Sequence, residues 1–500
     1  MESLLRILEL QVLIPWILSL FFGIFVGAIP GLTATMAVAL IVPVSYYMTP
    51  LAGLAMIIGV SYTSIFAGDI PATFLRIPGT PASGAAILDG YELGKKGEGS
   101  TALSLNLFCS VLGGIIGVLV LVSVSSRLAN FALRFTHFEY FWLGLFGISM
   151  SAVISKGSKL KGLYSVLAGL MVSTIGMDIT TGYPRFSFGV MGLFRGINFI
   201  PAMIGLFGLS EVFKNITDPK KLENPGIKEK ISVTFKNIFA TIWRFKKTVL
   251  SSSFIGVLVG ALPGAGADMA AWVSYGVAKG RSKEKEKFGR GSYEGVIAPT
   301  SANNAAIGGT WIPALVFGVP GDSITAIVLG AMMMYGLTPG PLVFERNPGL
   351  ITNIFQIALI TQFLVIFAGL AGIKAYAAML KLKKSLVMAG VVIFSLVGAF
   401  ALNNSVFDMG IVLVFGIIGY AFEKLDIPLP PMILALILGP MIENSLRVGL
   451  LQSRGSLMPF ISRPISLCLM LLIAVTFFGG FARGTLSKIF ARESKKFGGK

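Results

Sequence analysis

The chain has 500 residues, of which 54% are hydrophobic and 13% charged, with a net charge of +18 and a mean hydropathy of +0.82. Soluble domains carry about 25% charged residues, so this composition speaks against a soluble enzyme or binding module and for a chain that lives in lipid. Cys109 and Cys468 each lie in apolar sequence and give no basis for a disulfide framework or a thiolate metal site.

The N-terminal apolar stretch has no small-residue cleavage site after a basic start and is expected to be retained. Residues 23–37, GIFVGAIPGLTATMA, break an apolar run at Pro30-Gly31. The surrounding segment, roughly 12–49, reads as a re-entrant hairpin with an uncharged return loop at 46–50. DIPATFLRIPGT at 69–80 breaks a second run at Pro78-Gly79, and DGYELGKKGEG follows, with Lys95 and Lys96. The stretch around 103–124 is long enough to cross about 30 Å of hydrocarbon. Phe138, Tyr140, Phe141 and Trp142 read as an interfacial aromatic belt, with His137 at the surface beside them. Asp178 and Asp408 are isolated acids near segment ends and are expected to be solvated loop residues.

A basic linker over 216–247 leads to 256–270, GVLVGALPGAGADMA, in which Gly, Val, Gly, Ala, Pro, Gly, Ala, Met and Ala recur at the positions they hold in 23–37. A second basic run from Lys279 to Arg290 precedes WIPALVFGVPGD at 311–322, the counterpart of 69–80. Further spans are expected around 351–373, 386–402 and 460–480, and a basic tail over 483–500 ends the chain. Basic loops between apolar spans are the positive-inside signal rather than a nucleic-acid surface.

Charge placement carries a topology. Segment 248–278 has basic clusters at both ends but only about 31 residues, where two complete crossings need about 40. It reads as a hairpin that enters from the cytoplasm and turns back at Pro263-Gly264. After the second motif the charge bias differs between copies: Lys95 and Lys96 follow the first, whereas Arg346 beside Glu345 follows the other. The expected fold is an all-α polytopic membrane protein with about 12 membrane segments. It is built from two inverted-topology repeats, 1–215 and 248–482, with Pro-Gly-broken helices and re-entrant hairpins.

Broken helices at matching positions of two halves mark the binding region of a secondary transporter. Candidate substrate-binding residues are therefore Gly31, Thr33, Thr35, Ser61, Pro78, Gly79, Thr80 and Ser83 in the first half. In the second half they are Gly264, Gly266, Asn303, Asn304, Pro320, Gly321 and Ser323. GLTAT (31–35) and GTPASG (79–84) are expected helix N-termini, whose free N–H groups suit an anionic solute, with Thr33, Thr35, Thr80 and Ser83 either capping them or contacting the ligand. Asp268 and Asp322 stand where the first copy has Thr35 and Thr80, and are the expected ion-coupling carboxylates, for Na+ or H+. Asp69 is as well suited to capping as to binding, and Arg76 to snorkelling. No nucleophile–base pair, metal-ligand spacing or GxxxxGK[ST] loop is present, so no catalytic residue, metal or cofactor is expected.

The blocks GAIPGLTATMAVALIVP, GDIPATFLRIPGTPASGAAILDGYELGKKGEG, GALPGAGADMAAWVSYGVAK and SYEGVIAPTSANNAAIGGTWIPALVFGVPGDSITAIVLGA together resemble the large membrane subunit of the tripartite tricarboxylate transporters (TctA-like). The resemblance implies a multi-pass bacterial or archaeal inner-membrane protein. It implies two partners, a small membrane subunit (TctB-like) and a periplasmic solute-binding protein (TctC-like). It also implies import of tricarboxylates or related carboxylates, driven by an ion gradient and not by ATP. A stand-alone carboxylate symporter and a membrane-embedded enzyme are the alternatives.

Overall fold

The computed structural model describes residues 2–154, 158–178, 181–217, 233–379 and 382–476. The basic tail 483–500 and residues 218–232 of the linker 216–247 lie outside the described residues. In chain order the first helices are α1 (Glu2–Ile7), α2 (Leu10–Ala28), α3 (Ala34–Tyr46), α4 (Pro50–Ala67) and α5 (Asp69–Leu75). A 3₁₀ turn at Pro81–Gly84 precedes α6 (Ile87–Lys95), α7 (Gly99–Ala132), α8 (His137–Ile154) and α9 (Lys159–Ser173). Two short antiparallel strands follow, β1 (Gly176–Met177) and β2 (Pro184–Arg185), with Gly176 opposite Arg185. Helices α10 (Met191–Phe194), α11 (Phe199–Met203) and α12 (Ser210–Thr217) come next, the last two joined by a π-helical turn at Ile204–Leu209.

Beyond the linker lie α13 (Ile238–Arg244), α14 (Lys246–Gly260), α15 (Gly266–Arg281), α16 (Tyr293–Phe317), α17 (Ser323–Met334) and α18 (Leu342–Arg346). The chain continues through α19 (Pro348–Met379), α20 (Lys384–Asn403), α21 (Val406–Lys424), α22 (Leu429–Gln452), α23 (Met458–Ser462) and α24 (Pro464–Thr476). Among the described residues nine helical stretches, from Leu10–Ala28 to Leu429–Gln452, are long and apolar enough to cross a membrane. Ala34–Ser45, Ser323–Met334 and Pro464–Thr476 are shorter apolar helices.

Two helices form the centre. From Ala52 to Ala67 every residue of α4 is buried, and so is every residue of α16 from Gly295 to Val316. Helices buried all round bear no lipid-facing stripe, so their Ser, Thr and Asn side chains are enclosed by protein. The α2–α3 hairpin packs on α4 and the α14–α15 hairpin on α16, while α7 covers α16 and α19 covers α4. The α7–α16 seam is lined by Gly113, Gly117 and Gly308, whose missing side chains let the two backbones touch.

Each hairpin opens at a different end of α16. The base of α2–α3 lies where the Tyr335 hydroxyl donates to the Ser45 carbonyl at 2.5 Å, beyond the C-terminal end of α16. The base of α14–α15 lies at the N-terminal end, where the Thr248 hydroxyl donates to Glu294 at 2.6 Å. There Asp89 locks α6 to the loop before α16. One carboxylate oxygen accepts from the backbone N–H groups of Gly289, Gly291 and Ser292 at 2.7–2.9 Å, and the other accepts from the Tyr275 hydroxyl at 2.9 Å.

Three expectations are corrected. Asp178 is buried and ion-paired to Arg447 at 2.8 Å and Arg185 at 3.6 Å, with Glu443 bridging the same two guanidiniums. Its partners lie 7 and 269 residues away, so no local reading of the sequence finds them. Asp408 is buried too, in the first turn of α21, where its carboxylate accepts from the Asn403 amide at 2.6 Å. The described part of the apolar stretch at 460–480, up to Thr476, is not one helix: it divides into α23 and α24 at Arg463-Pro464. Arg463 there reaches the buried carboxylate of Glu139 at 2.7 Å. Nearby, the Trp142 indole N–H donates to the Phe460 carbonyl at 2.7 Å.

Candidate functional site

The four Pro-Gly breaks fall at the level where α4 and α16 carry their polar residues. Gly31 and Gly264, at the hairpin tips, have φ of 93° and 83°, a backbone region open mainly to glycine. The other two breaks fold back onto the helices just left. After α5 the chain reverses at Arg76 and returns until the Gly79 N–H donates to the Gly68 carbonyl at 3.0 Å. A Cβ on Gly79 would stand 2.5 Å from the Gly68 Cα and closer still to the Gly27 carbonyl. In the second half a Cβ on Gly321 would stand 2.6 Å from the Gly260 carbonyl and 2.7 Å from the Thr310 Cα. Gly27 and Gly260, and Gly68 and Thr310, are the aligned positions of the two sequence copies, so corresponding residues touch in both halves.

Beside the first break, Thr80 and Ser83 share a hydrogen bond at 3.0 Å, and both hydroxyls lie against the Gly68 backbone. Asp69 follows Gly68 directly and is wholly buried. Its carboxylate faces Ser83 and Asn303, yet neither closes a hydrogen bond of normal geometry with it. Asn303 and Asn304, also wholly buried, have no hydrogen-bond partner for either amide atom. A buried amide left unpaired costs about 1–3 kcal/mol, so the unpaired carboxylate of Asp69 beside the unpaired amide of Asn303 marks a place built to receive something polar.

Beside the second break, Asp322 caps α17. Its Oδ1 accepts from the Thr325 N–H at 2.8 Å and the Thr325 hydroxyl at 2.7 Å. The Gly264 N–H donates to the Gly321 carbonyl at 2.7 Å, and Gly266 (φ 58°) packs against the Asp322 side chain. Asp268 lies half-buried in the first turn of α15, and Ser323 half-buried at the start of α17. Pro320 is buried.

Other candidates are engaged locally or lie apart. Thr33 caps α3, accepting from the Met36 N–H at 3.1 Å, and Thr35 is half-buried two residues on, within the first turn. The Ser61 hydroxyl is spent on the Ile57 carbonyl at 2.7 Å. Pro78 is exposed in the reversal. GTPASG forms a 3₁₀ turn and not an α-helix start; α6 begins only at Ile87, because Thr80 bonds Ser83 instead of the following N–H groups. Arg76 has φ 57°, lies exposed and stacks over Tyr91 at 5.6 Å.

Asp69 is the residue that the sequence undervalued. Its side chain caps nothing. The available signal was its place: an acid inside an apolar run, at a position where the other copy carries Trp311.

This arrangement defines a multi-pass α-helical membrane transport protein. The chain belongs to the TctA family, matching the description "Tripartite tricarboxylate transporter TctA family" over residues 13–434. That family is the large subunit of the tripartite tricarboxylate transporters. An Agrobacterium vitis protein described as an uncharacterized 52.8 kDa protein in the TAR-I ttuC' 3' region is 34% identical over 90% of this chain and 89% of its own length. A second A. vitis protein, described by the TAR-II ttuC' 3' region, is 36% identical over 43% of this chain and 89% of its own. No solved structure gives a significant match.

Proposed function

We propose that this chain is the permease subunit of a binding-protein-dependent secondary transporter that imports tricarboxylates or related carboxylates on a Na+ or H+ gradient. The observation that carries the proposal is the pair of buried, unpaired amides of Asn303 and Asn304 on the central helix α16, with Asn303 beside Asp69 and the first half's folded-back break. Amide N–H groups and the free N–H groups of broken helices suit carboxylate oxygens. We read the halves 1–215 and 248–482 as inverted repeats, a reading supported by the matching Gly27–Gly79 and Gly260–Gly321 approaches and by hairpins that open at different ends. The end rich in Lys and Arg is cytoplasmic on this reading. Transport moves the hairpin-bearing part against the remaining helices and exposes the site alternately.

The chain performs no chemistry on its solute and takes no cofactor. A small membrane subunit and a periplasmic solute-binding protein complete the assembly in the inner membrane. Exposed Glu345 and Arg346 on the opposite, external face contribute to docking of the binding protein. The test is uptake of a panel of labelled carboxylates into proteoliposomes under imposed Na+ or H+ gradients, with and without the two partners. Accumulation that needs the partners supports the reading. Equal uptake without them supports a stand-alone symporter, and conversion of the solute supports an enzyme.

A further inference from the structure

We propose that Asp69, Thr80, Ser83 and Asn303 form a binding site for one Na+ ion, and that this site, rather than Asp322, binds the coupling cation. The geometry brings together groups from three separate elements: the two oxygens of Asp69 at the start of α5, the hydroxyls of Thr80 and Ser83 at the 3₁₀ turn, and the amide of Asn303 at the middle of α16, whose flip presents its oxygen. All four side chains are buried. Hard cations take such carboxylate, hydroxyl and amide oxygens.

Charge balance selects a single positive charge. Among the described residues no Lys or Arg is paired with Asp69, whose two oxygens have no hydrogen-bond partner. A lone buried carboxylate is costly unless a counter-charge joins it. A divalent ion in this pocket would keep an uncompensated charge, because no second carboxylate joins the cluster. Pro71 further withholds the N–H that an uninterrupted helix would give to the Ala67 carbonyl, two residues before the carboxylate. Asp322 is less available, since its Oδ1 already holds two hydrogen bonds as the cap of α17.

The site joins the folded-back chain of the first half to the central helix of the second. Filling it therefore ties the two halves together beside Asn304, and emptying it releases them. Its role in coupling rests on the transport reading; its binding of Na+ does not.

The experiment is ²²Na+ binding to the purified full chain in nanodiscs, with choline chloride as the control salt, alongside Na+-dependent thermal stabilisation. Wild type is expected to bind Na+ saturably. Asp69→Asn should weaken binding by more than about tenfold, since even outer-shell partners of metal sites act on that scale. Asp322→Asn should leave Na+ affinity unchanged. Absence of Na+ binding over choline, or an Asp69→Asn variant that binds like wild type, overturns the proposal. If Asp69→Asn fails to give a monodisperse protein, Ser83→Ala takes its place, and unchanged affinity there overturns it equally. Uptake driven only by a pH gradient, with no bound Na+, rejects this site and leaves the transport reading standing. Asp69-dependent Na+ binding without carboxylate uptake under any gradient upholds the site and rejects the transport reading.

Discussion

Replacing Gly79 by alanine tests whether the folded-back break is held by backbone contact. The new Cβ would lie 2.5 Å from the Gly68 Cα, where ordinary contact begins at 3.4 Å, so the two segments must part by about 1 Å. Both obstructing groups, the Gly68 Cα and the Gly27 carbonyl, are main chain in packed helices and cannot rotate away. Overpacking of this kind costs about 1–3 kcal/mol, and backbone obstruction belongs at the upper end. Alanine recovers roughly 0.4–1 kcal/mol by restricting the unfolded chain. A net loss of about 2 kcal/mol remains, close to thirtyfold in the folded-to-unfolded ratio. Gly321→Ala should lose a similar amount, because its Cβ meets the Gly260 carbonyl at 2.6 Å. Gly276→Ala is the control: nothing lies within 4 Å of its Cβ in α15, so helix propensity alone should stabilise it by up to about 1 kcal/mol. Denaturant unfolding in mixed micelles, followed by tryptophan fluorescence, measures all three. Wild-type stability for both Gly79→Ala and Gly321→Ala would refute the close-approach argument.

Three further outcomes are expected. In a cysteine-free background, cysteines replacing Arg346 and Lys285, both exposed, should react with an impermeant maleimide from opposite sides of the membrane, and labelling from one side contradicts the inverted arrangement. Ser282 is a poor reporter despite its neighbours in sequence, being 7% exposed. Asp89→Ala leaves three backbone N–H groups without their acceptor, at about 1–3 kcal/mol for each that stays buried, so trypsin should cut the 281–290 segment much faster than in wild type; equal rates would remove Asp89 as the lock. Glu443→Gln removes one of the two carboxylates shared by Arg185 and Arg447, and hydrogen exchange should quicken in β1 and β2 while α4 and α16 stay protected. Exchange that rises equally in the central helices would show that the ion-pair cluster supports more than the hairpin.

Much of the architecture was legible because lipid makes backbone breaks expensive. A Pro-Gly inside an apolar run must lie where protein or a polar cavity satisfies it, so the duplicated breaks at Pro30, Pro78, Pro263 and Pro320 announced both the hairpins and the level of the candidate site. The basic runs around 248–278 likewise give an expected direction for the second hairpin, which the labelling experiment tests. What sequence could not rank was the value of each polar side chain. Ser61 and Thr33 looked available but satisfy their own helix turns, a choice made by local geometry between equally plausible hydrogen bonds. Asp322 looked like a free carboxylate and is a helix cap. Asp69 was as well suited to capping as to binding and is a buried carboxylate facing Asn303, 234 positions away in the chain. Composition and periodicity determined that this chain crosses a membrane on broken helices, because burial of apolar surface depends on local pattern. Only the packing of α4 against α16 decided which polar groups are left unpaired, because that depends on which distant atoms arrive beside them.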